Sequence, residues 1–389
     1  MATNKEQNKL NVPHLRFPEF HGEWEEHGLS EYLDFKNGLN PDSKRFGKGI
    51  KFISVMDILN NPVITYDCIR ASVQATDAEM SSFSVENGDI LFQRSSETLE
   101  DVGRANVYID DKVAVFGGFV IRGKKKANYN PLFFRYLLSS PYARKRIIPM
   151  GAGAQHFNIG QEGLSKVLLN FPSIEEQTKI ASLLHLLDER IATQSKLIED
   201  LKKLKSAISK KLLCNDKWTT YKIQDIAEIG RGRVISSVEI DRQKRPLYPV
   251  YSSQTSNNGI MGYLDNYMFD GEYITWTTDG ANAGTVFYRK GKFNCTNVCG
   301  TLKILPKFDC YFVSLVLQQA TQKYVSSNLA NPKLMNNTMA SIKIRMPNIE
   351  TQKQLSKVFQ TLDSCLLVHQ RTCKMYLSEK QYLLRQMFI

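Results

Sequence analysis

The chain contains itself twice, and no other feature restricts its architecture as much, because a repeat of this length is built as two copies of one unit. Around the first tryptophan it reads Trp24-Glu-Glu-His-Gly-Leu29-Ser-Glu-Tyr-Leu33-Asp-Phe35-Lys-Asn-Gly38. Around Trp218 it reads Trp218-Thr-Thr-Tyr-Lys-Ile223-Gln-Asp-Ile-Ala227-Glu-Ile229-Gly-Arg-Gly232, with tryptophan, apolar positions and glycine aligned at an offset of 194. Further on, Phe171-Pro172-Ser-Ile174-Glu175-Glu-Gln177 answers Met346-Pro347-Asn-Ile349-Glu350-Thr-Gln352 at an offset of 175, and Leu187-Asp188 recurs as Leu362-Asp363 at the same offset. Between these anchors the offset falls by 19, so the frames match while the contents differ in length.

Each copy ends in a long helix. Pro172 and Ser173 mark a start, and Glu175 and Glu176 place negative charge in the first turn, where it suits the helix dipole. Ile180, Leu184, Leu187, Ile191, Gln194, Ile198, Leu201, Lys205, Ile208 and Leu212 then step by four and three, a heptad seam. The second copy repeats it as Leu355, Phe359, Leu362, Leu366, His369, Cys373, Tyr376, Lys380, Leu383 and Met387, and even the polar interruptions coincide, Gln194 with His369 and Lys205 with Lys380. Helices near 40 residues reach about 60 Å, longer than a small domain needs, and matched polar positions act as register devices. The expectation is an antiparallel intramolecular coiled coil with one globular domain at each end of a rod.

Between the anchors the helical period is lost. Short β-type runs punctuated by Gly, Asn and Asp follow, such as Gly49-Ile-Lys-Phe-Ile-Ser-Val, Gly88-Asp-Ile-Leu-Phe-Gln, Lys112-Val-Ala-Val-Phe, Gly271-Glu-Tyr-Ile-Thr-Trp and Gly284-Thr-Val-Phe-Tyr. One short helix is expected in each copy, near Pro131 and near Tyr311. The fold class is therefore α+β with a pseudo-two-fold internal repeat: a first β-rich domain over 1–172 with an N-terminal extension 1–22, a central helix over 173–213, a second β-rich domain over 214–347 and a C-terminal helix over 348–389. At 389 residues, 42% hydrophobic and 23% charged, the chain has the composition of an ordinary globular protein. No window approaches 18 uncharged apolar residues, so no membrane-spanning helix is expected, and the first residues lack the apolar stretch of a secretion signal. Seven scattered cysteines suggest free thiols in a reducing cytosol rather than a disulfide framework. The net charge of +12 favours a polyanionic partner, and it sits mainly in the second half, since residues 1–172 carry 21 basic and 20 acidic side chains.

Leu15-Arg16-Phe17-Pro18-Glu19-Phe20 ahead of Gly22 and Trp24, the two Phe/Met-Pro…Glu-x-Gln helix starts with Leu-Asp ten residues on, and the two-copy plan resemble the specificity subunit of type I restriction–modification enzymes. The resemblance covers essentially the whole chain. It implies that each globular domain is a target-recognition domain for one half of a bipartite, asymmetric duplex DNA sequence. It implies further that the helices space these domains and dock two methyltransferase subunits, through which motor-nuclease subunits join, in the cytoplasm of a bacterium. In that picture the chain performs no chemistry. It aims adenine methylation and ATP-dependent cleavage by its partners, so S-adenosylmethionine, ATP and Mg2+ would be used by the partners and no cofactor or metal would be bound here.

The residues offer no rival chemistry of comparable strength. Gly151-Ala-Gly153-Ala-Gln-His156 has His where a dinucleotide loop needs its third glycine, no Walker loop occurs, and Asn331-Pro332 lacks the aromatic residue that adenine methyltransferases place after the proline. Pro41-Asp42 with Asp110-x-Lys112 makes only a chance nuclease-like set, and Cys295-x-x-x-Cys299 lacks the further ligands of structural zinc. DNA binding needs cations for phosphates and polar side chains for base edges. The candidates in the first domain are Lys36, Lys44, Arg45, Gln93, Arg94, Ser95, Lys124, Lys125, Lys126, Gln155, His156 and Asn158. In the second they are Arg231, Arg233, Ser253, Gln254, Thr277, Thr278, Asn282, Lys333 and Asn336, while Tyr263, Tyr267, Tyr273 and Trp276 fit a β-rich core better than base stacking. The competing readings are a coiled-coil adaptor with two protein-binding β domains and an autonomous endonuclease.

Overall fold

The computed structural model describes residues 11–213, 215–326 and 331–389. The first ten residues of the extension expected over 1–22 lie outside this set, as does Cys214. The other six cysteines are free thiols. Two compact units emerge: unit 1 takes the described residues up to Lys196 together with Gln370–Ile389, and unit 2 takes Leu197–His369. Each unit therefore holds one β domain and part of each long helix.

In unit 1 the main strands are β1 (Glu25–Gly28), β2 (Leu33–Asn37), β3 (Phe46–Ile53), β4 (Ile90–Gln93), β5 (Ala105–Val107), β6 (Ala114–Phe116), β7 (Val120–Lys125) and β8 (Leu168–Phe171). In unit 2 they are β9 (Thr219–Lys222), β10 (Ala227–Arg231), β11 (Tyr248–Tyr251), β12 (Glu272–Thr277), β13 (Val286–Lys290), β14 (Asn294–Cys295), β15 (Cys299–Ile304) and β16 (Lys343–Met346). The helices that matter here are α1 (Pro131–Ser139), α2 (Ile174–Leu212), α3 (Cys310–Ala320) and α4 (Ile349–Gln386).

Strand pairing repeats from unit to unit. The central antiparallel sheet has the order β2-β7-β4-β5 in unit 1 and β10-β15-β12-β13 in unit 2. Likewise β1 pairs with β8 as β9 pairs with β16, and the parallel pair β3·β6 matches β11·β14. The repeated glycine finds its reason at the exits of β2 and β10. A Cβ on Gly38 would collide with the Gly117 carbonyl, and one on Gly232 with the Cys295 carbonyl, so only glycine lets these backbones cross.

The cores also correspond. Asn130 and Asp309 cap α1 and α3 by accepting hydrogen bonds from the Phe133 and Phe312 amides. Those phenylalanines meet the repeated tryptophans edge-on, Trp24–Phe133 at 6.1 Å and Trp218–Phe312 at 5.9 Å between ring centroids. Behind them, the repeated glutamines do one job twice. Gln177 accepts from the Asn130 amide and donates to the Pro172 carbonyl, while Gln352 accepts from the Asp309 amide and donates to the Pro347 carbonyl. The Glu-x-Gln signature thus ties each long helix to the first turn of the short one. Glu176 does more than complement a dipole. It is 1% exposed and receives both arms of Arg16, at 2.8 and 2.7 Å, which docks the Leu15–Phe20 segment on the start of α2.

The seam of the two long helices is realised inside each unit. In unit 1, Asp188 on α2 pairs with Lys380 on α4, and Ser195 meets Cys373. In unit 2, Lys205 on α2 pairs with Asp363 on α4. Residue numbers rise along one helix as they fall along the other, and both ion pairs obey the same antiparallel register. The lysines that interrupt the heptads are therefore the partners of the repeated Leu-Asp dyads. Ile180, Leu184, Leu187, Phe359 and Leu366 are buried, and Ile191, Gln194, Ile198, Leu201, Leu355, Leu362, His369, Cys373 and Tyr376 are half-buried. At the far ends Met387 and Phe388 enter the unit 1 core, and Leu213 enters the unit 2 core while Leu212 stays exposed, so the seam expected to close on Leu212 closes one residue later.

Candidate nucleic-acid interface

In each unit, loops far apart in sequence meet at one end of the central sheet. In unit 1 the chain leaves β4 through Gln93-Arg94-Ser95 and is joined by the glycine-rich loop 151–158. Ser95 and Ser96 pair with Asn158 and Phe157 in a short antiparallel ladder, the Ile159 amide donates to the Arg94 carbonyl at 2.9 Å, and the Ser95 hydroxyl donates to the Asn158 side chain. Gln155 and His156 project exposed from the same loop, and the β6–β7 turn lies alongside, with the Arg94 amide donating to the Phe119 carbonyl.

Unit 2 builds the same junction from different side chains. Asp279, just beyond β12, bridges to Lys333, and the Leu334 amide donates to the Thr278 carbonyl at 2.9 Å. Arg231, at the end of β10, reaches Asn336 at 3.2 Å. Arg231, Lys333 and Asn336 thus gather in unit 2 as Ser95, His156 and Asn158 gather in unit 1. Ser253 and Gln254 are half-buried, with the Gln254 amide donating to the Ile260 carbonyl, and Asn282 is exposed in the turn before β13.

Other candidates are placed or occupied differently. Gln93 is 5% exposed, and Thr277 and Thr278 are each 1% exposed, so their side chains face inward. Gln93 and Thr277 hold matching positions in their sheets, and Gln93 Oε1 and Thr277 Oγ1 are both buried without a protein partner. Arg45 forks onto Glu79, which holds that carboxyl down at about 2, and Arg233 forks onto Glu239. Lys36 lies over the Phe83 ring and donates to Ser82. The run Lys124-Lys125-Lys126 sits at the opposite end of β7 from the Phe119 turn, five residues or about 16 Å along the strand. There Lys124 pairs with Glu86, Lys125 covers Tyr129 and Lys126 bonds the Ser30 carbonyl. Lys44 is exposed. Trp276 is fully buried and donates to the Leu334 carbonyl at 2.9 Å, whereas Tyr263 and Tyr267, expected in the core, are both exposed, Tyr267 with its ring edge-on to Tyr248. Sequence reasoning passed over Phe119, 69% exposed beside this junction; its signal was a Gly-Gly pair ahead of an aromatic residue.

Among the described residues no group of three or more His, Cys, Asp or Glu could hold a metal ion, and no helix is long and apolar enough to cross a membrane.

The duplicated scaffold has a counterpart among known families. A model of the type I restriction modification DNA specificity domain matches residues 21–203 and again residues 215–374. The chain belongs to this family. As a type I specificity subunit it is a DNA-recognition component and not itself an enzyme. The type I restriction enzyme MpnII specificity subunit of Mycoplasma pneumoniae is 42% identical over 145 residues, 37% of this chain and 43% of that protein. Another M. pneumoniae protein named as a type I specificity subunit is 37% identical over 198 residues, 50% of this chain and 82% of its own. Among solved structures, the S subunit of a type I system from M. genitalium superposes with a TM-score of 0.69 at 17% identity, covering 97% of this chain and 99% of that one, which establishes the shared fold of the specificity subunit. A chain from a structural study of type I complex assembly gives 0.54 at 12% identity, covering 93% and 96%.

Proposed function

We propose that this specificity subunit reads an asymmetric bipartite duplex, one half-site per unit, with the loop junction beside β4 and β7 facing DNA in unit 1 and that beside β12 and β15 in unit 2. One observation carries the reading: the two junctions share backbone pairing yet differ at the side chains they present, Arg94-Ser95 against Thr278-Asp279 and Gly118-Phe119 against Asn297-Val298. Equal scaffolds with unequal tips are what two different half-sites require, since phosphate contacts position a reader and base contacts specify. Lys44, Gln155, His156 and Asn158 in unit 1, and Arg231, Lys333, Asn336 and Asn282 in unit 2, are the polar groups best placed for these contacts.

The long helices dock two methyltransferase subunits in this reading, and motor-nuclease subunits join through those. Their outer faces support it: Met375 and Tyr382 in unit 1, 58% and 57% exposed, and Leu197 and Leu204 in unit 2, 37% and 49% exposed, stand one heptad apart and outside the buried seam. Apolar surface repeating along a helix suits a partner helix. S-adenosylmethionine, ATP and Mg2+ belong to the partners' adenine methylation and cleavage, and this chain holds no cofactor of its own. The test is a genome-wide map of methylated adenines in cells carrying this chain with its partner subunits, together with salt-dependent binding to the mapped target. A two-part asymmetric target with a steep salt slope supports the reading; salt-insensitive binding with no sequence preference overturns it in favour of a protein adaptor.

A further inference from the structure

Between β6 and β7 the chain turns through Gly117-Gly118-Phe119, and this turn is held from several sides. The Gly118 amide donates to the Leu39 carbonyl at 2.9 Å, the Val120 amide to the Gly117 carbonyl at 2.8 Å, and the Arg94 amide to the Phe119 carbonyl at 2.9 Å. A Cβ on Gly118 would collide with the Asn40 side chain and one on Gly117 with the Phe52 ring. A backbone fixed in this way presents the Phe119 ring outward instead of letting it fold onto the core, and 69% of the residue remains exposed. Beside the ring lies a groove of about 420 Å³ lined by Leu39, Phe46, Phe52, Val55, Met56 and Ser95. Phe46 and Met56 are themselves 43% and 60% exposed.

Two polar neighbours are engaged within the protein, while Asn40, which also lines the groove, is exposed. Arg94 donates to the Gly118 carbonyl at 3.2 Å, and the Ser95 hydroxyl is bound to Asn158. What this surface offers outward is mainly apolar, through Phe46, Met56 and Phe119, while the exposed Lys44 and Lys48 flank Phe46 in the chain with charge suited to phosphates. The major groove of DNA displays one apolar group, the 5-methyl of thymine. We infer that Phe119 and its groove read a thymine in the half-site recognised by unit 1, by contact with that methyl group. The inference rests on the recognition reading above. In unit 2 the corresponding turn is Thr296-Asn297-Val298, with Asn297 exposed and Val298 half-buried. Its tip is polar, so the methyl-dependent contact belongs to unit 1 alone.

The test uses the full chain bound with its methyltransferase subunits and duplexes of the mapped target in which deoxyuridine replaces thymine one position at a time. One position in the first half-site should weaken wild-type binding about fourfold, the worth of one apolar carbon kept from water. Phe119→Ala should bind the thymine duplex more weakly and lose that sensitivity, whereas Phe119→Leu should keep part of it. Second half-site sensitivities should not move. Wild-type protein indifferent to every thymine methyl in the first half-site, or Phe119→Ala as sensitive as wild type, overturns the inference while leaving recognition intact. Wild-type protein unable to tell the target from a scrambled duplex overturns the recognition reading itself.

Discussion

Unit 1 and unit 2 hold their helix pairs with the same aspartate–lysine contact but surround it differently. Asp188 accepts from Lys380, from the Tyr136 hydroxyl at 2.8 Å and from Arg135 at 3.2 Å, whereas Asp363 has Lys205 and the Tyr311 hydroxyl at 2.5 Å. The two tyrosines are not equivalent in sequence. Tyr136 follows its helix cap Asn130 by six residues and Tyr311 follows Asp309 by two, one helical turn apart and so on the same face. The pair of units shows that the repeat preserves the contact and not the residue making it. The same holds at the tips, where backbone pairing is kept and side chains change.

The largest effect tests whether the units read independently. Exchanging residues 24–172 for the first domain of another family member should replace one half of the methylation target and leave the other unchanged, as read from methylated-adenine maps. A change in both halves, or in neither, breaks the comparison. Next comes register. Four residues inserted after Gln194, roughly one turn, displace α2 against α4, so the Asp188–Lys380 and Asp363–Lys205 pairs cannot both form. The expected outcome is an altered gap between half-sites or loss of the complex, and full activity at an unchanged gap would count against a helix pair that sets spacing.

Smaller effects separate the two aspartates. Asp188→Asn should cost about 2 kcal/mol, leaving Lys380 half-buried without its carboxylate, and Asp363→Asn, at a more exposed site, about 1 kcal/mol or less; denaturant titration of the full chain reads both. Burial of Asp188 opposes its charged form, but Lys380, Tyr136 and Arg135 outweigh it and hold the carboxyl below the usual range. A depressed carboxyl stabilises the fold above its unfolded pKa of about 4 and loses that contribution as pH falls through the folded value. The gap between wild type and Asp188→Asn should therefore be flat from neutral pH to about 5 and close below about 4. A gap that widens in acid would refute the assignment. Of similar size is the matched pair Gln177→Ala and Gln352→Ala, each expected to cost about 1 kcal/mol by breaking the same two backbone hydrogen bonds. Clearly unequal costs would show that the two helix junctions are not equivalent.

Much of the scaffold was legible beforehand. The Trp-to-Gly and Pro-to-Gln segments, the heptad seam and the β-type runs all follow from local spacing, and the seam positions from Ile180 to Leu201 and from Leu355 to Tyr376 are all buried or half-buried. The interface was legible only in outline. Loop residues such as Ser95, Asn158, Lys333 and Asn336 do converge at the junctions, but Arg45, Arg233 and Lys124 are committed to carboxylates within their own units, and Thr277 and Thr278 point inward. A basic residue and a basic residue already paired look alike in a sequence.

By itself, the sequence determined that this protein has two homologous units, where their long helices begin, and which helix faces are apolar, because repetition and period are properties of neighbouring residues along a chain. Only the tertiary structure decided that Lys380 answers Asp188, that Gln177 and Gln352 close the helix junctions, and that Phe119 is the most exposed aromatic side chain among the described residues. Those outcomes depend on groups brought together across tens to nearly two hundred residues, where sterics and the pairing of buried charge choose among partners that local pattern cannot tell apart.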